Sequence, residues 1–134
     1  MKAAQKDSQL SLTIIGALVF ALLVKIFCFD VMIAEGDSMA PLIPSGRVLL
    51  VNKLAYGFRF PWSSRYLLRW GSVQTGDIIV FSSPQGTLAV KRCVQIQEGH
   101  YIIVLGDNSA VSYDSRNYGP ISTEHVIGRV EGLE

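Results

Sequence analysis

"DIIVFSSPQGTLAVKRCVQI", residues 77 to 96, sets two runs of β-branched and apolar residues on either side of a Ser-Ser-Pro-Gln-Gly cluster. Runs this short, rich in Ile and Val and ended by turn formers, read as strands rather than helices. The same pattern occurs before it in "RVLLVNKLAYG" and after it in "HYIIVLGDN". The fold expected from about residue 30 onward is therefore mainly β, a single domain of short strands with no internal repeat or low-complexity segment. Pro41 and Pro44 keep the intervening stretch out of any long helix.

The first 29 residues follow a different rule. From Ser8 to Val24 no residue is charged, and after Lys25 the apolar run continues as "IFCF" before Asp30 ends it. At 1.5 Å per residue such a helix reaches across a hydrocarbon core of roughly 30 Å. Lys25 lies near one end, where its long side chain can snorkel to the interface. Lys2, Lys6 and the amino terminus lie on one flank, and Asp30, Glu35 and Asp37 on the other. The expectation is a single-pass anchor over residues 1–29, with its amino terminus in the cytoplasm, and an extracytoplasmic β domain over residues 30–134. A cleaved secretion signal would need small residues at its cleavage site, whereas the flank reads "KIFCFDVMIAEG" with Met32 two places before Ala34. Phe27 directly before Cys28 also argues against a lipid-modified cysteine. With Cys28 at the membrane and Cys93 in the other domain, no disulfide is expected.

Twelve Lys and Arg stand against eleven Asp and Glu, so no charge excess exists to hold nucleic acid. "YGFRFPWSSRYLLRWG", residues 56 to 71, crowds six aromatic rings among Arg59, Arg65 and Arg69. Two readings stay open for it: a loop that folds its aromatics into the core, or an edge that rests on the lipid headgroups.

Chemistry concentrates around "EGDSMAPLIPSG", residues 35 to 46. Its Ser38 needs a base to become a nucleophile. "GDSMA" approaches the nucleophile elbow of α/β hydrolases, but Ala40 replaces the final glycine, and that fold needs a longer chain with a following acid and histidine. His100 and His125, the two histidines, read as surface or turn residues. The remaining base is a lysine made neutral by burial. Lys91 has Ala89 and Cys93 at the positions that share its strand face, the setting in which an ammonium loses hydration and its pKa falls, although a strand lysine taken alone also reads as a solvated edge charge. Lowering that pKa from about 10.4 to near 8 costs roughly 3 kcal/mol, which a well-packed site can bear.

"GDSMAP" at 36–41, "GDIIVFSSP" at 76–84, "VKR" at 90–92 and "GDNSAVSYDSRNYG" at 106–119 stand in that order behind one apolar segment. Together they resemble the bacterial type I signal peptidases, or leader peptidases, membrane-anchored Ser/Lys proteases that remove signal peptides from exported proteins. The resemblance implies an antiparallel β catalytic domain. It implies Ser38 as nucleophile, Lys91 as general base, Ser112 as the hydroxyl that hydrogen-bonds and aims the lysine, and Asp114 with Arg116 as a supporting ion pair. It implies no metal or other cofactor. The implied partners are preprotein signal peptides, the lipid bilayer and the secretion translocase, with no nucleic acid, and the implied place is the bacterial cytoplasmic membrane. Substrates of the family bind as an extended strand, with small residues, typically Ala, at the first and third positions before the cut.

The match is incomplete in places. Many members carry an oxyanion-stabilising serine where this chain has Gly36, which leaves the Ser38 backbone amide as one expected donor and the second unassigned. Leu42 and Arg47 replace the family's usual Thr-Leu and Gly-Asp positions, and "QIQEGH" stands in place of a PGD turn. Lys91 and Gly106 lie only fifteen positions apart, where most members insert a sizeable second region, so the chain reads as a short form. Two alternatives accompany this reading: a Ser/Lys peptidase dedicated to one conjugation or pilus protein, and an inactive module that binds signal peptides.

Overall fold

The computed structural model describes the backbone of residues 2–133 and the side chains of residues 8–133. Lys2–Phe27 form helix α1. The strands are β1 (Phe29–Ile33), β2 (Val48–Asn52), β3 (Gly57–Phe58), β4 (Leu68–Arg69), β5 (Ile78–Ser82), β6 (Leu88–Gln97), β7 (Tyr101–Leu105), β8 (Ile121–Ser122) and β9 (Val126–Glu131), with a single-turn helix α2 at Ser115–Tyr118.

From Ser8 to Phe27 the helix is apolar, and up to Leu23 its side chains are exposed, while its last turn packs against the domain through Ile26 and Phe27. By length and composition this helix is long and apolar enough to cross a membrane. Two of its hydroxyls are satisfied within the helix: Ser11 Oγ donates to the Ser8 carbonyl and Thr13 Oγ1 to that of Gln9. The helix stops at Phe27, and Phe29 already lies in β1, so the apolar run ending at Asp30 is shared between two elements. Lys53 explains the stop. Its Nζ donates to the Lys25 and Ile26 carbonyls (3.0 and 3.3 Å) and pairs with Asp30 at 3.1 Å, placing a cation on the negative end of the helix. The side chains of Lys2 and Lys6 and the amino terminus, on which the expected orientation leans, lie outside the described residues.

Beyond the helix the domain is antiparallel β, as the sequence leads one to expect. Seven strands form one sheet in the order β1-β2-β9-β5-β6-β7-β8, and β3 with β4 form a small separate ribbon. Strand β5 lies at the centre and is buried on both faces, which is why "IIVF" is continuously apolar rather than alternating. Ile79 and Phe81 join Cys93, Ile102, Val104 and Val126 on one side. Ile78 and Val80 join Leu49, Val51, Met39 and Ile43 on the other.

Two edges of this sheet are unpaired where they matter. Strand β1 pairs with β2 alone. Strand β6 pairs with β5 along Leu88–Arg92 but with β7 only from Arg92 onward, so its first four residues, 88–91, present a free edge. The sheet curls so that both free edges border one cleft of about 530 Å³, lined among others by Met32, Ala34, Leu49, Leu88, Val90 and Lys91.

Candidate active site

Ser38 sits on the loop joining β1 to β2, and the loop is pinned from both ends. Ala34 N–H donates to the Arg47 carbonyl and Gly46 N–H to that of Ala34, both at 2.8 Å. Met39 and Ile43, bridged to each other across the turn, are 3% and 1% exposed and anchor it in the core. The sequence alternation thus buries Met39 and leaves its neighbour Ser38 at the cleft, on a backbone that cannot wander.

Lys91 enters from β6. It is 5% exposed, with Ala89 and Cys93 on its face and Ile79 directly opposite on β5. Lys91 Nζ and Ser38 Oγ are 2.6 Å apart, a hydrogen bond joining residues 53 positions apart in the chain. Burial lowers the lysine pKa below its ordinary value, and the charge of Asp114 offsets part of that fall. As a neutral amine at this distance, Nζ can accept the proton that Ser38 must lose.

The "GDN" and "SYDSR" stretches form the wall behind this pair. Asp114 is fully buried and accepts from Gly106 N–H (2.9 Å), from Ser112 Oγ (2.6 Å), and from Arg116 Nε and Nη2 (2.9 and 2.6 Å). Burial alone would raise its pKa, but the donors from Arg116, Gly106 and Ser112 outweigh it and hold the carboxyl far below the usual carboxylate range. Asp114 also caps α2, accepting from Arg116 N–H while Asn117 returns the bond to its own amide.

The Ser112 hydroxyl donates to Asp114, and among the described residues the hydrogen-bond partner of Lys91 Nζ is Ser38. A buried carboxylate is the stronger acceptor for that hydroxyl, so Asp114 captures it.

The structure adds residues to which the sequence reading gave no role. Gly106 lets two segments of the chain approach each other, because a Cβ built there would overlap Ser112 Oγ and the Ser38 carbonyl. Asn108 N–H donates to that Ser38 carbonyl at 3.0 Å, tying the nucleophile loop to the late signature. Ser115 Oγ accepts from Val104 N–H (3.0 Å) and fixes the same signature to β7. Arg92 forms a two-pronged bond with Asp107 (2.9 and 2.7 Å), joining the residue after the lysine to the "GDN" turn. The adjacency of Arg92 to Lys91, and of Asp107 to Gly106, was the available signal.

Gly36 adopts φ +75°, and its N–H is engaged by Ser45 Oγ at 3.2 Å. The Ser38 amide has no partner within the described residues and remains free to donate. His100 and His125 lie away from Ser38 and Lys91: His100 borders a separate small cavity beside Tyr66, and His125 ends a 3₁₀ turn. Cys28 and Cys93 are both free.

A serine held against a buried amine, on an antiparallel sheet with two free edges at one cleft, has the build of a serine endopeptidase. The chain belongs to the signal peptidase family, peptidase S26, whose family model matches residues 8–96 and 87–133. It is similar to signal peptidase I of Bacillus caldolyticus, 24% identical over 80% of this chain and 80% of that protein. It is likewise similar to signal peptidase I V of Bacillus subtilis, 22% identical over 88% of this chain and 93% of that one. To signal peptidase I of Pseudomonas fluorescens it is 33% identical over 87% of this chain, but spans only 38% of that protein's length. The chain is thus comparable in extent to the Bacillus proteins and covers a minor part of the Pseudomonas one.

Proposed function

We propose that this chain is a membrane-anchored serine endopeptidase that removes N-terminal signal peptides from exported preproteins after an Ala-X-Ala site, with Ser38 as nucleophile and Lys91 as general base. The observation that carries this reading is the 2.6 Å contact between Ser38 Oγ and a Lys91 whose pKa is lowered by burial. Residues 1–29 serve as anchor and 30–134 as catalytic domain. The flanking charges favour an amino terminus in the cytoplasm and a cleft on the outer side of the cytoplasmic membrane, where the secretion translocase delivers its cargo.

The substrate enters as an added strand between the free edges of β1 and β6, exchanging main-chain hydrogen bonds. In an extended strand the side chains of the first and third residues before the cut point to the same side, into the apolar cleft, and small ones fit. Lys91 takes the Ser38 proton as Oγ attacks the scissile carbonyl carbon. The Ser38 amide donates to the developing oxyanion. The C–N bond then breaks and the leaving amine takes the proton from Lys91. Water, deprotonated in turn by Lys91, attacks the acyl ester; the bond from the carbonyl carbon to Oγ breaks, and Lys91 returns the proton to Ser38 Oγ. Asp114, braced by Arg116, and Ser112 position the wall against which the pair rests.

The aromatic segment divides between its two readings. Tyr56 is buried in the core, whereas Trp62 is 79% and Trp70 59% exposed. Phe27 at the helix end stacks on Phe58, which leads through Phe60 to Trp62 in a continuous run of ring contacts. We place this ribbon at the headgroup level, where exposed Trp and Arg side chains are at home.

The test is cleavage of an Ala-X-Ala preprotein in liposomes containing no other protein, by wild type, Ser38→Ala and Lys91→Ala. Cleavage by the wild type alone, after the second Ala, supports the assignment. An inert wild type that still binds the preprotein overturns it in favour of a binding module.

A further inference from the structure

The cleft that receives the substrate in the proposed function is almost free of charge. Along its β6 wall, Leu88, Ala89 and Val90, with Thr87 just before the strand, carry none. Its floor is Met39, Ile43, Leu49 and Val80. The ionisable side chains that line it are Lys91, buried at the base, and Glu35, exposed at the rim. Glu35 has no hydrogen-bond or ion-pair partner among the described residues. The neighbouring Asp37 points back into its own loop, accepting from Ser45 N–H, and the Arg47 guanidinium is spent on the Leu42 carbonyl.

The backbone around Glu35 is fixed. Ala34 is bonded on both sides to the 46–47 turn, and Gly36 N–H is held by Ser45 Oγ. A carboxylate left uncompensated on a fixed rim acts on whatever strand lies beside it. A docked strand also removes water from the gap, which strengthens the interaction. In that strand the residue between the two small ones projects away from the cleft floor, toward the rim.

We infer that Glu35 is a specificity-determining residue that makes this cleft select a basic side chain at the middle position of the Ala-X-Ala site and reject an acidic one. The inference rests on the proposed mode of substrate binding, but it makes a separate claim about charge.

The experiment uses the full chain in neutral-lipid liposomes and three preproteins that differ only in X: Lys, Gln or Glu. For the wild type, kcat/KM for Lys is expected to exceed that for Glu by about 10-fold, the scale of a partly desolvated ion pair. The ratio should fall to about 1 in Glu35→Gln and invert in Glu35→Lys. In parallel, binding of the same preproteins to Ser38→Ala and to Ser38→Ala/Glu35→Gln reads the preference without cleavage. A Lys-to-Glu ratio that is the same in wild type and Glu35→Gln, in cleavage or in binding, overturns the inference even when the peptidase assignment holds. An uncut preprotein whose binding still discriminates charge through Glu35 upholds the inference while the peptidase assignment fails.

Discussion

Lys91 is the residue on which most depends, and its protonation gives the sharpest test. Burial holds its folded pKa below the ordinary value, so the active neutral form becomes populated as pH rises through that lowered pKa. The wild type is expected to show kcat/KM rising with pH and then levelling, measured between about pH 6 and 10. Lys91→Arg keeps the charge but never supplies a neutral base, so activity should drop by at least about 10³-fold at every pH. A variant with near wild-type rates would remove Lys91 from the mechanism. At Gly106 the limit is steric: Gly106→Ala forces Ser112 and the Ser38 carbonyl apart, costing about 1–3 kcal/mol of stability with a larger loss of activity. Thermal melting beside kinetics separates the two effects. Ser38 and Lys91 stood out in the sequence only together, once the "GDNSAVSYDSRNYG" signature was set beside them, because a lone loop serine or a lone strand lysine is ordinary surface chemistry. The Ser112–Asp114 bond was not legible there, because two residues two apart in a loop carry no periodicity that fixes where their side chains point.

At the scale of elements, the four runs that alternate or are wholly apolar became β2, β5, β6 and β7. Strand β9 was harder to see. Gly128 interrupts its β-branched pattern, and it is there because a side chain would collide with the Asn52 carbonyl of the neighbouring strand. Strand β1 was hidden for another reason: Cys28 and Phe29 prolong the apolar run of the helix as far as Asp30, and the boundary is drawn by Lys53, a distant residue that caps the helix end. The β3–β4 ribbon is the element whose surroundings can be read directly, because Trp62 and Trp70 are the only tryptophans in the chain. Both are expected to emit at shorter wavelength in liposomes than in a water-exposed reference and to be quenched by lipids brominated near the headgroup. Each single Trp→Phe variant assigns the signal to the other ring. Unquenched, long-wavelength emission from both would show that the ribbon stands off the bilayer.

The molecule as a whole carries two buried ionisable groups at one site, and both tilt its stability the same way with pH. Asp114 has a folded pKa well below its unfolded value, so the stability it contributes is complete above about pH 4, the unfolded carboxyl value, and is lost as pH falls below it. Lys91 has a folded pKa below its unfolded value, so the unfolded chain binds the extra proton. That penalty is full below the folded pKa and is relieved as pH rises toward about 10.4. The wild type in neutral detergent is therefore expected to gain thermal stability in two separate steps, one in the acid range and one on the alkaline side. Lys91→Met should abolish the alkaline step and raise the melting temperature at neutral pH, since an apolar side chain of similar length needs no desolvation. Asp114→Asn should abolish the acid step and lower the melting temperature at neutral pH, because Arg116 and Ser112 lose the carboxylate to which they donate. Opposite shifts from two substitutions at one site are the mark of a site whose base is held neutral at the expense of the fold while its supporting carboxylate helps to hold the fold together. Shifts of the same sign would mean that Lys91 stays charged when folded, and the role of base would then have to pass to another group.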